Sequence, residues 1–231
     1  MTAPYYTVIY EDESLIVVDK SPGVLSVPAT FPSEAPDLRT LISLNTGKTL
    51  YPVNRIDKNA SGIVMFAFDK EAHRELCGCF ARRLVHKEYL AIVRGIPSDN
   101  EFTITASLLK KSNKTLVRPH GKKCSIHVKV IKRYIDHALL KIETTRGYRH
   151  QIRVLLAFKG HPVAGDSIYG KASQKEEILY LHCGLIKIPY KGEEVTFQAP
   201  TPPHFIKLIH HLNNKIKDLN AFVKPKSIHS P

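Results

Sequence analysis

The pattern of apolar and polar positions predicts a chain rich in β-strands. Near the amino terminus, proline and glycine separate the strand-like runs YYTVIY, LIVVDK and VLSVPA. GIVMFAF is an uninterrupted apolar run of the kind found in buried strands, and KEYLAIVRG, FTITASLL, SIHVKVI, ALLKIETT, LYLHCGLIKI and EVTFQAP follow it. In SIHVKVI, Ile126, Val128 and Val130 alternate with polar residues. We therefore expect a largely antiparallel sheet.

Four segments between these strands predict helices. DLRTLISLN is a short one, and Asp69 is suited to cap a second that carries arginines in its last turn. RHQIRVLLAFKG predicts a third, closed by Gly160, and the last runs from about Pro203 to Leu212. The fold class is therefore α+β, with one bent, mixed but mostly antiparallel sheet flanked by helices. We expect residues 1–222 to form a single domain, with two closely packed subdomains as the alternative, and 223–231 to form a basic tail.

The charge of the chain indicates a polyanionic partner. The 231 residues include 34 Lys and Arg against 21 Asp and Glu, a formal charge of +13. Such an excess repels itself unless a polyanion neutralises it, and nucleic acid is the first candidate. An anionic membrane is the rival, but the sequence has no amphipathic basic helix with a bulky apolar face, no lipidation motif and no run that could span a bilayer. We expect RNA or DNA, and no membrane.

The amino terminus and the cysteines suggest a reducing compartment. MTAPYYTVIYEDE lacks the basic start and apolar stretch of a secretory leader, so we expect a cytoplasmic protein. The four cysteines lack the paired spacing of a zinc site, and a disulfide framework is unusual in a chain of this size. We interpret them as structural thiols and expect no metal.

The segment NRIDKNASG places a carboxylate, Asp57, between Arg55 and Lys58 in a polar loop before the buried strand. Taken alone, an acid between two basic residues is usually a solvated surface pair. However, the segment resembles the H-R-L-D-x-x-T-S-G motif of the RluA-type pseudouridine synthases. YEDESLIVVDKSPGVLSVPA, KEYLAIVRG, RHQIRV and GHPVAGDSIYG resemble other landmarks of that family, in the family's order from Tyr10 to Pro203. Ordered coincidence of this kind is far more specific than any single motif.

The resemblance implies an enzyme that isomerises uridine to pseudouridine in tRNA, rRNA or both, without a cofactor. On this resemblance, Asp57 is the catalytic aspartate, Tyr89 is the aromatic group that packs on the target base, and Arg153 pairs with the aspartate. Arg55 would fill or brace the space that the base vacates. The chain has no room for the S4-type RNA-binding domain that some members carry, so RNA recognition would rest on the catalytic domain.

The chemistry of the reaction agrees with these roles. The bond between N1 and C1′ must break, the ring must turn, and C5 must bond to C1′. An ionised carboxylate under the sugar serves either by attacking C1′ or by taking a proton from C2′, and the sequence does not choose between these routes. A nearby Arg153 would favour the ionised form of Asp57. The base must also leave its stack, and Tyr89 would return part of that energy as an aromatic platform.

Basic residues between the motifs are candidate phosphate contacts. The stretch from Lys110 to Lys123 is the preferred RNA-contact loop, and a flexible basic hairpin without a partner is the alternative. The candidates are Lys20, Arg82, Arg83, Lys87, Lys110, Lys111, Lys114, Arg118, Lys122 and Lys123. We assign structural roles to Asp166, in a turn, and to His150 and His161.

Several positions depart from the family pattern. Asn54 replaces a histidine and keeps a hydrogen-bonding side chain, whereas Ala60 replaces a threonine and loses a hydroxyl. Tyr148 and Arg149 stand where the family has arginine and threonine, and Leu155 replaces a later histidine. These departures affect the expected substrate contacts rather than the reaction.

Two other classes of function remain as alternatives. One is a catalytically inactive RNA-binding protein with the same fold, in which Asp57 and Arg153 are remnants. The other is a glycoside or nucleoside hydrolase, because its first step breaks the same bond. No second well-placed carboxylate is evident for such a hydrolase, and release of free uracil would identify it. We expect a monomer without an obligate protein partner.

Overall fold

A computed structural model describes residues 4–29, 35–112, 114–170 and 178–223, with side chains of the last helix described as far as residue 216. The strands within these ranges are β1 Tyr6–Glu11, β2 Leu15–Lys20, β3 Tyr51–Pro52, β4 Ser61–Ala67, β5 His86–Arg94, β6 Glu101–Lys111, β7 Lys114–Val117, β8 Lys122–Arg133, β9 His137–Thr144, β10 Leu181–Tyr190 and β11 Glu193–Gln198. The helices are α1 Leu38–Thr46, α2 Lys70–Ala81, α3 Gln151–Phe158 and α4 Pro203–Val223.

Within the described residues, the strands join into one sheet in the order β1-β2-β4-β10-β5-β9-β8-β6-β7, with β11 on β10 and β3 on β4. Neighbouring strands pair antiparallel, except β4 and β10, which run parallel over His182–Ser61 and Cys183–Gly62. This short parallel contact joins the amino-terminal strands to the rest of the sheet. The predicted α+β class and mostly antiparallel mixed sheet are confirmed.

Four apolar clusters flank the sheet. One lies between α1 and strands β2 and β4, a second includes α2 with β4, β10 and β11, a third includes α3 with β5, β6, β8 and β9, and the last includes α4. Ile56 packs against the first three of these, and Tyr89 packs against the second and third. The loop that carries Asp57 therefore lies where the apolar clusters meet.

Side chains cap the first turn of α1 and of α2, where Asp69 was the predicted cap. The Asp37 side chain accepts the N–H of Thr40 at the start of α1, and Asp69 accepts those of Glu71 and Ala72 at the start of α2. Gly160 follows α3 with a φ of 84°, as a helix-ending glycine should. No helix among the described residues is both long and apolar enough to cross a bilayer.

Some predicted elements were wrong in extent or kind. VLSVPA forms only an isolated bridge at Leu25, because the Leu25 main chain bonds to Pro36 and Leu38 at the start of α1 instead of to a strand. α3 starts at Gln151, after His150 adopts a left-handed backbone, so Arg146 and Arg149 lie in the preceding loop. α4 extends to Val223 rather than ending at Leu212. Of the predicted tail, 224–231 lie outside the described residues.

Candidate active site

The loop between β3 and β4 holds Asp57 through main-chain contacts on both sides. The Ile56 N–H donates to Ser26 Oγ at 3.2 Å, and that hydroxyl lies 3.2 Å from the Ile56 carbonyl. The Lys58 carbonyl accepts from Gly23 N–H at 3.0 Å and from the Lys20 ammonium at 2.9 Å. The segment after β2 thus clamps both neighbours of Asp57, which fixes the position of the carboxylate before any substrate binds.

The end of this loop is braced against two strands. Asn54 donates to the Ile63 carbonyl and accepts the Met65 N–H, so the departure from histidine keeps a bracing role. Ser61 Oγ lies 2.9 Å from the buried His182 Nδ1 on β10. Gly62 has a φ of 110°, and a side chain there would overlap the Cys183 backbone. Glycine is therefore required where β4 and β10 meet.

Asp57 forms an ion pair with Arg153 of α3. Arg153 Nη1 donates to Asp57 Oδ2 at 2.7 Å, and the side chain of Asp57 retains 22% of its exposure. The same arginine donates from Nε and Nη2 to the two carboxylate oxygens of the buried Asp166, both at 2.7 Å. Arg153 is therefore fixed from behind by Asp166 and presents its remaining face to Asp57.

Asp166 is held as a carboxylate despite its burial. Burial by itself raises its pKa, but the hydrogen bonds and charge of Arg153 and the N–H groups of Ile168 and Tyr169 outweigh this and place the Asp166 pKa below its ordinary range. The N–H contacts measure 2.9 and 3.0 Å. The turn role expected from the sequence is present, together with an orienting contact to Arg153 that the sequence did not reveal.

Tyr89 projects from β5 beside Asp57. It is partly buried, packs against two of the apolar clusters and lines the same cleft as the carboxylate. Burial, followed by contact with Cys183, raises the Tyr89 pKa well above its ordinary value. The ring therefore stays a neutral phenol, which suits a base-stacking surface.

His150 also borders Asp57, although the sequence assigned it only a structural role. Its Nε2 lies 3.7 Å from Asp57 Oδ1, and its Nδ1 lies 2.9 Å from the Tyr169 hydroxyl. The backbone of His150 is left-handed, with a φ of 54°. A non-glycine residue in this conformation often marks a functional site, but the sequence carried no sign of it.

These groups line an open cleft of about 800 Å³, which we call the Asp57 cleft. That volume lies within the range of ligand sites, roughly 300 to 1,000 Å³. Its rim is cationic. The basic side chains that line it are Arg55, Lys58, Lys110, Arg146 and Arg149. Neither Arg146 nor Arg149 was predicted to line the cleft; Arg149 had been placed in the helix, which in fact begins at Gln151.

Two predicted RNA contacts are wrong because their side chains are buried. Lys20 is fully buried, and its ammonium donates to the carbonyls of Ser21, Val24 and Lys58. Lys87 is only 3% exposed and donates to the Arg146 carbonyl at 2.7 Å. Burial lowers the pKa of both, to about 7 for Lys20, where the charges of Asp57 and Asp19 act in the opposite direction. Both lysines brace the cleft instead of binding phosphate.

The other basic candidates are exposed. Arg82 and Arg83 follow α2 at the surface. The predicted RNA-contact loop is in fact strands β6, β7 and β8, because its residues pair in register across the sheet. We call the stretch from Lys110 to Lys123 the basic arm. Its exposed cations are Lys110, Lys111, Lys114, Arg118, Lys122 and Lys123.

Two further positions are resolved by burial. Leu155 is fully buried beside the α3 apolar cluster, so the departure from histidine there alters packing and not a substrate contact. His161 Nδ1 is buried and has no hydrogen-bond partner among the described residues, contrary to the satisfied histidine expected from the sequence.

One group of potential metal ligands lies away from the cleft. His86, Glu88 and Glu143 bring donor atoms close together on the sheet surface. The Lys141 ammonium already occupies this group, at 3.1 Å from Glu88 and 3.0 Å from Glu143. The carboxylates are therefore neutralised by a side chain, and we assign no metal to them.

Comparisons with known proteins point to one family. A sequence model described as RNA pseudouridylate synthase matches residues 14–158. The chain is 32% identical over 218 residues to the RNA pseudouridine synthase YlyB of Bacillus subtilis, covering 89% of this chain and 72% of that protein. It is 30% identical over 210 residues to the dual-specificity RNA pseudouridine synthase RluA of Escherichia coli K12, covering 85% and 94%.

Solved structures show the same fold. The human RNA pseudouridylate synthase domain containing 1 superimposes with a TM-score of 0.75 at 23% identity, covering 85% of this chain and 84% of that one. The human domain containing 4 gives a TM-score of 0.75 at 21% identity, covering 89% and 92%. At these identities the likeness concerns the architecture, while the sequence relatives carry the family assignment.

Proposed function

The chain belongs to the RluA-type RNA pseudouridine synthases, enzymes that convert uridine in RNA to pseudouridine, and from this premise we propose that Asp57 is its catalytic carboxylate. The observation that carries the proposal is the ion pair between Asp57 and Arg153 in an open, cation-rimmed cleft. A carboxylate in such a cleft is accessible to a substrate, and its hydrogen bond to the Arg153 guanidinium holds it in position.

The proposed reaction needs only groups that the chain supplies. As the bond between N1 and C1′ breaks, its electron pair leaves with the uracil ring, and Asp57 either bonds to C1′ or takes a proton from C2′. The uracil turns in the cleft and C5 bonds to C1′. In the first route the bond between Asp57 and C1′ breaks at this step, and in the second the proton on Asp57 returns to C2′. The C5 proton is lost to solvent and N1 takes up a proton, so the product is an isomer of the substrate. Arg153 stays paired with the carboxylate through these steps.

We propose substrate-binding roles for three side chains. Tyr89 stacks on the uracil ring, Arg153 orients Asp57, and Arg55 fills or braces the space that the flipped nucleotide leaves. The exposed position of Arg55 on the rim and the neutral, half-buried ring of Tyr89 support these assignments. Both side chains sit within the cleft that contains Asp57.

The proposed target is tRNA, rRNA or both. The dual-specificity relative RluA supports this range, and the exposed cations of the basic arm, of which Lys110 lines the cleft, and of the end of α2 are the proposed phosphate contacts. Contacts to phosphate position the RNA without reading its sequence, so we propose that the choice of uridine rests on RNA shape and on the cleft itself.

We further propose that the enzyme acts as a cytoplasmic monomer without an obligate protein partner. Asp57, Tyr89, Arg153 and Asp166 all come from one chain, so the proposed site is assembled without a second copy. The four cysteines are unpaired thiols, three of them buried, which suits a reducing compartment.

A tritium-release assay tests the proposal. RNA labelled with tritium at C5 of uridine is taken from cells that lack this gene. It is incubated with the wild-type chain, with Asp57→Asn or with Asp99→Asn, a control at an exposed aspartate. We expect wild type and Asp99→Asn to release tritium to water without free uracil, and Asp57→Asn to lose at least 10³-fold in rate, an order of magnitude estimate for a covalent or acid-base group.

The other outcomes separate the alternatives. Tight, salt-sensitive RNA binding by wild type with no tritium release from any RNA pool would favour the inactive RNA-binding protein. Free uracil in the supernatant would favour a hydrolase. Full activity of Asp57→Asn would remove the proposed role of Asp57 while leaving the family assignment intact.

A further inference from the structure

Given the proposed role of Asp57, we propose that His150 is a positioning residue, which directs an Nε2–H donor at Asp57 Oδ1 because Tyr169 fixes the proton on that nitrogen. The two oxygens of the carboxylate have different neighbours. Oδ2 accepts from Arg153 at 2.7 Å, whereas Oδ1 faces His150 Nε2 at 3.7 Å. Catalytic hydrogen bonds are often long before substrate binds and shorten in the complex. Oδ1 is thus the oxygen open for reaction, and His150 borders it.

The hydrogen bonds around Tyr169 determine the tautomer of His150. The main-chain N–H of Thr115 donates to the Tyr169 oxygen at 2.8 Å, so that oxygen already serves as an acceptor. Tyr169 Oη lies 2.9 Å from His150 Nδ1, and in the proposed arrangement the phenol donates its proton to this nitrogen. A neutral imidazole with an acceptor at Nδ1 carries its proton on Nε2. The donor at Nε2 therefore follows from the fold and not from the substrate.

The ring of His150 is held in place by its backbone and by packing. The left-handed conformation, φ 54° and ψ 21°, turns the side chain out of line with α3, which begins at the next residue. The side chain is only 9% exposed, and the Tyr169 ring meets it edge to face at 5.6 Å. A strained backbone persists where surrounding contacts impose it, which is typical of groups that must point in one direction.

The charges around His150 keep the ring neutral. Burial lowers its pKa; among the facing groups, Asp57 raises it, Arg153 and Arg149 lower it, and Asp166 raises it. Neutrality matters because an imidazolium would pair with Asp57 and withdraw charge from the reacting oxygen. A neutral N–H donor orients the carboxylate and leaves its charge available.

Three substitutions separate the parts of this arrangement. His150→Phe removes both nitrogens, His150→Gln keeps an amide N–H near Nε2, and Tyr169→Phe keeps His150 but removes the proton donor to Nδ1. Matched controls are His211→Gln, which is exposed on α4, and Tyr134→Phe, whose buried hydroxyl has no hydrogen-bond partner among the described residues. Circular dichroism and thermal melts establish that each variant folds.

Single-turnover tritium release and RNA affinity are measured for each folded variant. We expect His150→Phe to slow turnover about 10-fold to 100-fold, in the range of lost orienting contacts, with RNA affinity within about twofold of wild type. His150→Gln should recover part of the rate. The two controls should match wild type in both measurements.

The pH profile distinguishes positioning from a merely structural role. Loss of the Tyr169 hydroxyl removes a hydrogen bond that favours neutral His150, so the His150 pKa rises in Tyr169→Phe. The imidazolium then forms as pH falls, and the rate of this variant should decline on the acid side of neutrality, where wild type stays level. Nitrogen-15 NMR of the histidine side chains should show His150 as the Nε2–H tautomer in wild type and as a mixture in Tyr169→Phe.

Each failure has its own meaning. An Nδ1–H tautomer in wild type, or wild-type turnover by His150→Phe, overturns the role of His150 while Asp57→Asn remains inactive. Activity of Asp57→Asn overturns the proposed role of Asp57 first. If His150→Phe does not fold, an unchanged pH profile in Tyr169→Phe with an unchanged tautomer overturns the proposal by itself.

Discussion

Arg153 contacts two carboxylates with different surroundings. Asp166 has no exposed side-chain surface and takes two of the arginine's N–H groups, whereas Asp57 takes one and stays partly open to the cleft. Because Asp166 holds the guanidinium from behind, Asp57 can exchange contacts with a substrate without releasing the arginine. This division of roles between two acids is a property of individual side chains.

Asp166→Asn should therefore lower both stability and activity. The variant removes the charge that balances a buried arginine, and breaking a buried ion pair costs about 3 kcal/mol. We expect the free energy of unfolding in urea to fall by about that amount, and turnover to fall because Arg153 is no longer fixed behind Asp57. Asp99→Asn provides the surface control. A stability within about 0.5 kcal/mol of wild type would contradict this role for Asp166.

The sequence predicted one site for Asp57, Tyr89 and Arg153, which the structure brings together in one cleft, but it misjudged other side chains nearby. The three residues lie in short contiguous motifs, which can be recognised without knowledge of the fold. The burial of Lys20 and Lys87 could not be predicted from the sequence. A lysine in a strand is expected at the surface unless the strands packed around it are known. The role of His150 was missed for the same reason, since its partners Tyr169 and Thr115 are distant in sequence.

At the scale of elements, the contact between β4 and β10 joins the Asp57 loop to the centre of the sheet. His182 on β10 is fully buried and touches Ser61, the first residue after the loop. Burial lowers the His182 pKa to about 4 from its ordinary 6.5. The folded chain thus binds a proton at His182 less tightly than the unfolded chain does.

This shift predicts acid sensitivity at the junction. Between pH 6.5 and 4 the unfolded chain takes up a proton at His182, whereas the folded chain does not. The contribution of neutral His182 to the free energy of unfolding is therefore complete above pH 6.5 and is lost as pH falls to 4. The loss amounts to about 3 kcal/mol over that window. In His182→Gln, which retains a partner for Ser61, the free energy of unfolding should change less steeply across it. Parallel urea-derived profiles for the two proteins would contradict the prediction.

The basic arm is the element that we expect to govern general RNA affinity. Its exposed cations release counterions on binding, so a fourfold Lys→Gln variant should weaken binding and flatten the dependence of log K on log salt, by about 0.7 for each phosphate contact removed. Titrations with unmodified RNA at several salt concentrations measure this slope. The four substituted positions are Lys110, Lys111, Lys122 and Lys123.

A matched variant controls for net charge. It replaces four exposed lysines that lie away from the arm, at Lys70, Lys159, Lys207 and Lys215. We expect this control to keep a slope close to that of wild type. Equal slopes for the two fourfold variants would show that affinity follows overall charge instead of the arm.

At the scale of the whole molecule, the active-site loop connects the apolar clusters. Ile56 packs against three of them, Tyr89 against two, and Tyr180 joins the α3 and α4 clusters. Side chains shared between clusters make loss of one cluster weaken the next. We therefore interpret the described residues as one cooperative domain, in preference to two subdomains.

Calorimetry tests this interpretation. We expect a single unfolding transition with equal calorimetric and van 't Hoff enthalpies. Ile56→Ala should lower the midpoint of that one transition, with a loss of about 2 kcal/mol, since the side chain is only partly buried. Two resolved transitions, of which Ile56→Ala moves one, would instead support two subdomains.

Most elements and the class of reaction could be predicted from the sequence. Local patterns of residues are enough to predict the alternation of the strands, the helix cap at Asp69 and the motif around Asp57. Excess positive charge is a sum over the chain and needs no coordinates. These features led to the α+β class and to the RNA pseudouridine synthase family, both of which were confirmed.

The burial of charged side chains and the contacts between distant residues depend on the tertiary fold. Arg153 and Asp57 are 96 positions apart, and their 2.7 Å contact exists because α3 packs in the same apolar cluster as Ile56 and Ala60 of the β3–β4 loop. The contact between His150 and Tyr169 and the three carbonyls around Lys20 likewise depend on the packing of the chain. Burial and hydrogen-bond geometry are set by packing between elements, and no local pattern of residues encodes them.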